Sequence, residues 1–186
     1  GKYCRILKNK MTAAINSGPY FGILISNPNN GTTLTGYEIS DNDIQDVFTY
    51  FIYGYYTVGT KIRNNQLHND SHTRQGYLYG IYLNNYLTRC DAEIIGNTLY
   101  NFNNNSTGAY DGRFSIYVYM NSAPNTQNLL IANNIIDLQC TYYTPGVYVY
   151  GFAASNAGVD FFYNTLYYGG KKTNTYSYGL FLIQMY

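Results

Sequence analysis

Glu93-Ile94-Ile95-Gly96-Asn97-Thr98-Leu99 carries an aliphatic residue at 94, asparagine three positions later and another aliphatic two positions beyond. The same spacing returns at Ile6-Asn9-Met11, Ile39-Asn42-Ile44, Ile62-Asn65-Leu67, Ile131-Asn134-Ile136 and Phe161-Asn164-Leu166. Successive asparagines are 33, 23, 32, 37 and 30 residues apart. A recurrence on that scale marks a stack of like units, each too small to bury its own apolar face.

A second series interleaves with the first. Gly22-Ile23-Leu24-Ile25, Phe51-Ile52-Tyr53-Gly54, Gly80-Ile81-Tyr82-Leu83, Ser115-Ile116-Tyr117-Val118, Gly146-Val147-Tyr148-Val149 and Gly179-Leu180-Phe181-Leu182 fall one between each pair of asparagine motifs and one after the last. Their aligned aliphatics are 29, 29, 35, 31 and 33 residues apart. The blocks are made of Tyr, Phe, Ile and Val, which suit a pleated surface. The gaps are filled by Gly, Asn, Ser, Thr and Pro, which suit turns. No window shows the apolar spacing of an amphipathic helix. Strand alternation predicts an inward set of Ile23/Ile25, Ile52/Gly54, Ile81/Leu83, Ile116/Val118, Val147/Val149 and Leu180/Leu182.

The asparagine has two reasons to recur. It tolerates the left-handed backbone region, so the sequence predicts that it turns the bend between two short strands. Its amide can also bond to the asparagine one turn away, at about the 4.8 Å strand spacing. Asn9, Asn42, Asn65, Asn97, Asn134 and Asn164 are therefore read as an internal ladder.

Gly80-Ile81-Tyr82-Leu83 followed by Glu93–Leu99 resembles a rung of the right-handed parallel β-helix, in its pectate-lyase-like and NosD-like repeat forms. The resemblance covers nearly the whole chain. It implies an all-β solenoid of about five to six rungs, about 25–30 Å tall, with the right-handed sense usual for parallel crossovers. It implies much less about activity, because this architecture carries lyases, hydrolases, phage tailspikes, adhesins and stalks. The polysaccharide lyases of this fold use acidic Ca²⁺ ligands beside a basic residue, and the hydrolases use Asn-Thr-Asp and Gly-His-Gly runs. Neither set is matched here, and Asp41-Asn42-Asp43 is a partial echo.

Residues 1–186 read as a single β-helix segment of a longer chain, because neither end shows the polar capping unit that solenoids need. The net charge is +1 and charged residues make up 11%, well under the usual quarter or so. There is no basic stripe for nucleic acid and no apolar run of membrane-spanning length. Cys4, Cys90 and Cys140 are expected as buried free thiols, with one disulfide plus a free thiol as the alternative. The Asn-, Tyr- and Thr-rich composition resembles secreted bacterial surface repeats, which points to an extracellular or cell-surface location.

The outward positions of the second series are aromatic. They read Leu24, Tyr53, Tyr82, Tyr117, Tyr148, Phe181 up the stack, and two residues further on Ser26, Tyr55, Asn84, Tyr119, Tyr150, Ile183. Such a wall either stiffens the solenoid through ring stacking or contacts a glycan, another protein or flanking domains of the same chain. The candidate binding residues are Tyr53, Tyr55, Tyr82, Tyr117, Tyr119, Tyr148, Tyr150 and Phe181.

The residue ahead of each motif's leading aliphatic reads Arg5, Glu38, Lys61, Glu93, Leu130, Asp160, a column alternating in sign over four rungs. That is a stabilising, register-setting pattern. Asp41 with Asp43, and His68 with Asp70 and His72, are the residues best suited to hold a cation. Polar loop or surface roles are the better reading of both groups. Arg74, Arg89, Asp91, Asp111 and Arg113 are expected in loops, and Lys171-Lys172 at a loop tip. No catalytic residue, metal or cofactor is assigned. The expected role is a non-enzymatic adhesin-like or stalk-like segment. The alternatives are the body of a polysaccharide lyase or glycoside hydrolase whose centre lies elsewhere, and a trimeric tailspike-like rod.

Overall fold

A computed structural model of the chain describes residues 2–13, 18–26, 34–70, 76–85, 90–102, 112–120, 127–139, 144–151, 157–169 and 177–183. The first coil is β1 (Lys2–Leu7), β2 (Lys10–Met11) and β3 (Phe21–Ser26), and the second is β4 (Leu34–Ser40), β5 (Asp43–Gln45) and β6 (Tyr50–Tyr55). A short β7 (Thr57–Val58) follows. The third coil is β8 (Lys61–Arg63), β9 (Gln66–His68) and β10 (Leu78–Asn85), and the fourth is β11 (Asp91–Ile95), β12 (Thr98–Tyr100) and β13 (Arg113–Met120). The last two are β14 (Gln127–Ala132), β15 (Ile135–Gln139) and β16 (Thr144–Tyr150), then β17 (Ala157–Phe162), β18 (Thr165–Gly169) and β19 (Ser177–Ile183).

Each coil gives one strand to each of three sheets. The sheet orders are β1-β4-β8-β11-β14-β17, with β7 beside β4; β2-β5-β9-β12-β15-β18; and β3-β6-β10-β13-β16-β19. Neighbouring strands are parallel and in register, with Ile6, Ile39, Ile62, Ile94, Ile131 and Phe161 opposite one another along the first sheet. The chain is a parallel β-solenoid. No helix among the described residues is long and apolar enough to cross a membrane.

The asparagine motif spans the corner between the first and second sheets. Asn42, Asn65, Asn97 and Asn134 are buried there, while Asn9 and Asn164 lie on the outermost described coils and are more open. Each asparagine from Asn9 to Asn134 donates from its backbone N and its Nδ2 to the Oδ1 of the next, at 2.8–3.0 Å. From Asn42 onward, Nδ2 also donates to a main-chain carbonyl of the preceding coil: Ile6, Ile39, Ile62, Ile94 and Ile131 in turn. The interior amides are thus satisfied, which matters because an unpaired buried amide costs about 1–3 kcal/mol.

The bend itself falls one residue earlier than the sequence suggested. Lys8, Asp41, Asn64, Gly96, Asn133 and Tyr163 hold φ between 54° and 70°, whereas the ladder asparagines do not have positive φ. The left-handed residue reverses the chain, and its N–H bonds to the next coil, as from Asp41 N to Arg63 O at 3.0 Å and from Gly96 N to Ala132 O at 3.0 Å. The asparagine is left free to use its side chain along the axis. Gly, Asn and Asp fill four of these six positions, as their tolerance of this conformation requires.

The core is a set of stacked aliphatic columns. Ile23, Ile25, Ile52, Ile81, Leu83, Ile116, Val118, Val147 and Val149 are buried as expected, and Gly54 with them. Leu180 and Leu182 are 38% and 47% exposed, because no described coil packs against the far side of β19. Ile39, Ile62, Ile94 and Ile131 join from the first sheet, and Ile44, Leu67, Leu99 and Ile136 from the second. The residue that opens a block of the third sheet faces inward, and at Gly22, Gly80 and Gly146 it does so under crowding. A Cβ at Gly80 would lie 2.4 Å from Leu99 Cδ2 and 2.5 Å from Ser115 O. Phe51 is the exception among glycines and serine. Its buried ring stacks on that of Phe102 at 5.1 Å and 9°, and Gly80 belongs to the coil between the two.

Candidate contact surface

The outward side of the third sheet is built by strict register. Leu24 lies opposite Tyr53, Tyr53 opposite Tyr82, Tyr82 opposite Tyr117, Tyr117 opposite Tyr148, and Tyr148 opposite Phe181. The tyrosine rings stack along the solenoid axis at 5.1, 4.8 and 4.8 Å with interplanar angles of 5°, 15° and 10°. Phe181 continues the column at 5.1 Å, tilted by 30°.

Beside it runs a column the sequence reading missed. Phe21, Tyr50, Tyr79 and Phe114 stack at 5.2, 4.8 and 4.9 Å, all within 12° of parallel. The two columns meet edge to face, as in Tyr79–Tyr82 at 76° and Tyr79–Tyr117 at 89°. Both geometries are favourable for aromatic quadrupoles. The signal was there to find: the position just ahead of each block reads Phe21, Tyr50, Tyr79, Phe114, Pro145, Tyr178. On the other side, Tyr119 and Tyr150 lie 5.0 Å apart and tilted, while Tyr55 sits against Tyr56, their hydroxyls 2.8 Å apart. The residues named from sequence for this surface therefore come together on one face.

The ring faces are turned toward one another along the axis. What the wall presents outward is ring edges and hydroxyl groups. Burial, reinforced by neighbouring phenols, pushes the Tyr50 hydroxyl up to about 12. The hydroxyls of Tyr79, Tyr82 and Tyr117 are driven higher still by the same causes. Asn84 hydrogen-bonds to Tyr53 and Tyr82 from the adjoining column. The wall is a neutral array of phenols. In the six strands of this sheet the one charged residue is Arg113, and it is buried. It opens β13 rather than lying in a loop, and its Nη1 donates to the main-chain carbonyl of Gly76.

The exposed charges of the described strands lie on the other two sheets. On the first, Arg5, Glu38, Lys61 and Glu93 are aligned as the alternating column required. Arg5 Nε donates to Glu38 Oε2 at 2.8 Å, Lys61 lies 3.8 Å from Glu93, and Arg63 adds a further ion pair to Glu93. Asp91 begins β11, where it accepts from Asn128 N at 3.1 Å.

On the second sheet, Asp43 and Asp70 flank a buried His68. The Nε2 of His68 is 2.8 Å from Asp43 Oδ1, and its ring lies flat on Tyr100 at 4.7 Å and 4°. Its Nδ1 lies 2.8 Å from Asp70 Oδ2. Lys10 reaches Asp43 at 3.4 Å, and Asn101 Nδ2 donates to Asp70 Oδ1 at 2.8 Å. Burial alone would raise the Asp43 carboxyl, but the hydrogen bond and charge of His68, with those of Lys10, hold it below its ordinary value. Asp41 is exposed at the corner. Among the described residues no group of three or more His, Cys, Asp or Glu is arranged to hold a metal.

Cys90 is a buried free thiol whose pKa burial pushes up to about 12, and Cys4 is free but exposed, contrary to expectation. Arg74, Arg89, Asp111, His72, Cys140, Lys171 and Lys172 lie outside the described residues. Comparison with protein-family models, with curated proteins and with solved structures finds no match to this chain.

Proposed function

We propose that the chain is a non-enzymatic scaffold segment of a secreted or cell-surface protein, adhesin-like or stalk-like, whose tyrosine wall is its contact surface. Its repeat type is that of the right-handed pectate-lyase-like and NosD-like solenoids, the hand being the one favoured for parallel crossovers. The observation that carries the reading is the segregation of side chains. Charge is spread over two sheets as ion pairs, while the third keeps a continuous neutral face of tyrosine edges and hydroxyls. Tyrosine presents an apolar body and a hydrogen-bonding tip at little entropic cost, a combination enriched at recognition surfaces.

Ring stacking also stabilises the solenoid, so the test must separate the two roles. Tyr82, Tyr117 and Tyr148 replaced together by Phe keep the stacked rings and lose the hydroxyls. A glycan array and capture of surface proteins, run with the parent chain and this variant, should show a ligand retained by the first and lost by the second. Unchanged binding by a normally folded variant would remove the wall's hydroxyls from the contact. Release of new sugar ends from any polymer by the chain would favour the polysaccharide lyase or hydrolase reading instead.

A further inference from the structure

The proposed contact surface has a shape, a charge and a repeat that together narrow what it can hold. Three columns of side chains cross about 17–20 Å of strand, and six coils at about 4.8 Å give about 25–30 Å of height. The wall therefore offers about 400–600 Å², short of the roughly 800 Å² per partner of a stable protein interface. It is small, and its rings repeat regularly along one axis, which fits a linear ligand better than a second copy of the chain.

Charge argues next. No outward side chain of the third sheet is ionised, and the one cation in its strands, Arg113, is buried. A polyanion such as a polyuronate would find no counter-charge on this face. A polymer rich in neutral hydroxyls would find phenols able both to donate and to accept. Their raised pKa values keep them protonated well into the alkaline range.

The ring geometry decides the mode of contact. In the central column, Tyr53, Tyr82, Tyr117 and Tyr148 repeat at 4.8–5.1 Å with their faces against one another. A sugar cannot lie flat on a ring face that is already covered. It can bond to the row of hydroxyls. A hexose chain with equatorial linkages, of the cellulose or mannan type, is an extended ribbon whose advance per sugar is close to this rung spacing. A chain of the amylose type coils and falls out of step.

We propose that the tyrosine wall binds an uncharged, extended, equatorially linked polysaccharide, laid along the solenoid axis with about one sugar per coil and held by the phenol hydroxyls. This inference rests on the contact-surface reading above and adds the ligand class, the direction of the chain and the groups that hold it.

Calorimetric titration of the full chain with cellohexaose and mannohexaose tests it, with maltohexaose and hexagalacturonate as controls. At least one of the first two should bind, more tightly than its trisaccharide, and neither control should compete. The Tyr82→Phe, Tyr117→Phe, Tyr148→Phe triple variant should bind about tenfold or more weakly, at an unchanged circular dichroism spectrum. Retained affinity in that variant would overturn the hydroxyl-held mode, as would equal binding of maltohexaose. Failure of both extended sugars, with another glycan or a protein lost in the variant, would overturn the ligand class alone. Failure of every ligand, or self-association through the wall in sedimentation, would overturn both this inference and the contact reading beneath it.

Discussion

Asn97 donates to Asn134 from two nitrogens at once, its backbone N and its Nδ2 each lying 3.0 Å from the same Oδ1. The link joins residues 37 apart in sequence and fixes the register of two coils at their shared corner. A slip of one residue would break it and would also turn the aliphatic columns outward.

Replacing Asn97 by Leu should therefore be costly. It removes the acceptor of Asn65 N and Nδ2, the side-chain donor to Asn134 Oδ1, and the donor to Ile62 O. At about 1–3 kcal/mol for each buried polar group left unpaired, the loss is expected to be about 3 kcal/mol or more. Asn9→Leu, on an exposed position, should cost well under half of that. Urea denaturation of the two variants measures the difference; equal losses would mean the ladder does not depend on its buried members.

Gly80→Ala should destabilise by about 1–3 kcal/mol through overpacking against Leu99, Ser115 and Phe102. Gly179→Ala occupies the aligned position on the last described coil, where the nearest atom to a Cβ is 3.7 Å away. It should be close to neutral. Thermal melts of the pair decide the point, and a harmless Gly80→Ala would show that the inward face of β10 is not as tight as described.

These two sites also show what was legible in the sequence. The asparagine and the aliphatics three before and two after it repeat in fixed phase, because a corner with a buried amide constrains all three. The left-handed bend lies one residue ahead of the asparagine and leaves no single-letter signature, because Lys8, Asp41, Asn64, Gly96, Asn133 and Tyr163 fill it variously. The Phe21–Tyr50–Tyr79–Phe114 column was missed because the inward-facing Gly22, Phe51, Gly80 and Ser115 break the simple alternation between it and the central column. Arg113 departs from the loop expected of it because nothing local in the sequence announces a buried guanidinium.

The tyrosine wall should make the protein sensitive to alkali. Folded-state pKa values raised above the ordinary 10, to about 12 for Tyr50, mean that the folded form holds protons the unfolded chain has lost. That contribution is complete below pH 10 and declines as pH rises from there through 12. Tyrosinate absorbance followed with unfolding should show a group of tyrosines ionising late, together with loss of structure. All tyrosines titrating as one class near 10 in the intact fold would contradict this.

The opposite sign applies at Asp43. Its carboxyl is depressed, so its contact with His68 and Lys10 stabilises above the ordinary value of 3.8 and is lost as pH falls below it. Asp43 is one-third exposed, and the effect should be only about 0.2–1 kcal/mol. Asp43→Asn should narrow the stability difference between neutral and strongly acidic solution by that amount. A wider difference in the variant would reverse the assignment.

The central claim is that six coils stack in register with their asparagine amides superposed at one corner. Nuclear Overhauser contacts from the side-chain NH₂ protons of Asn42, Asn65 and Asn97 test it most directly. The account predicts cross-peaks from each to the asparagine of the following coil, linking residue 42 to 65, 65 to 97 and 97 to 134. Side-chain amides that see only their own sequence neighbours, in a folded sample, would contradict it.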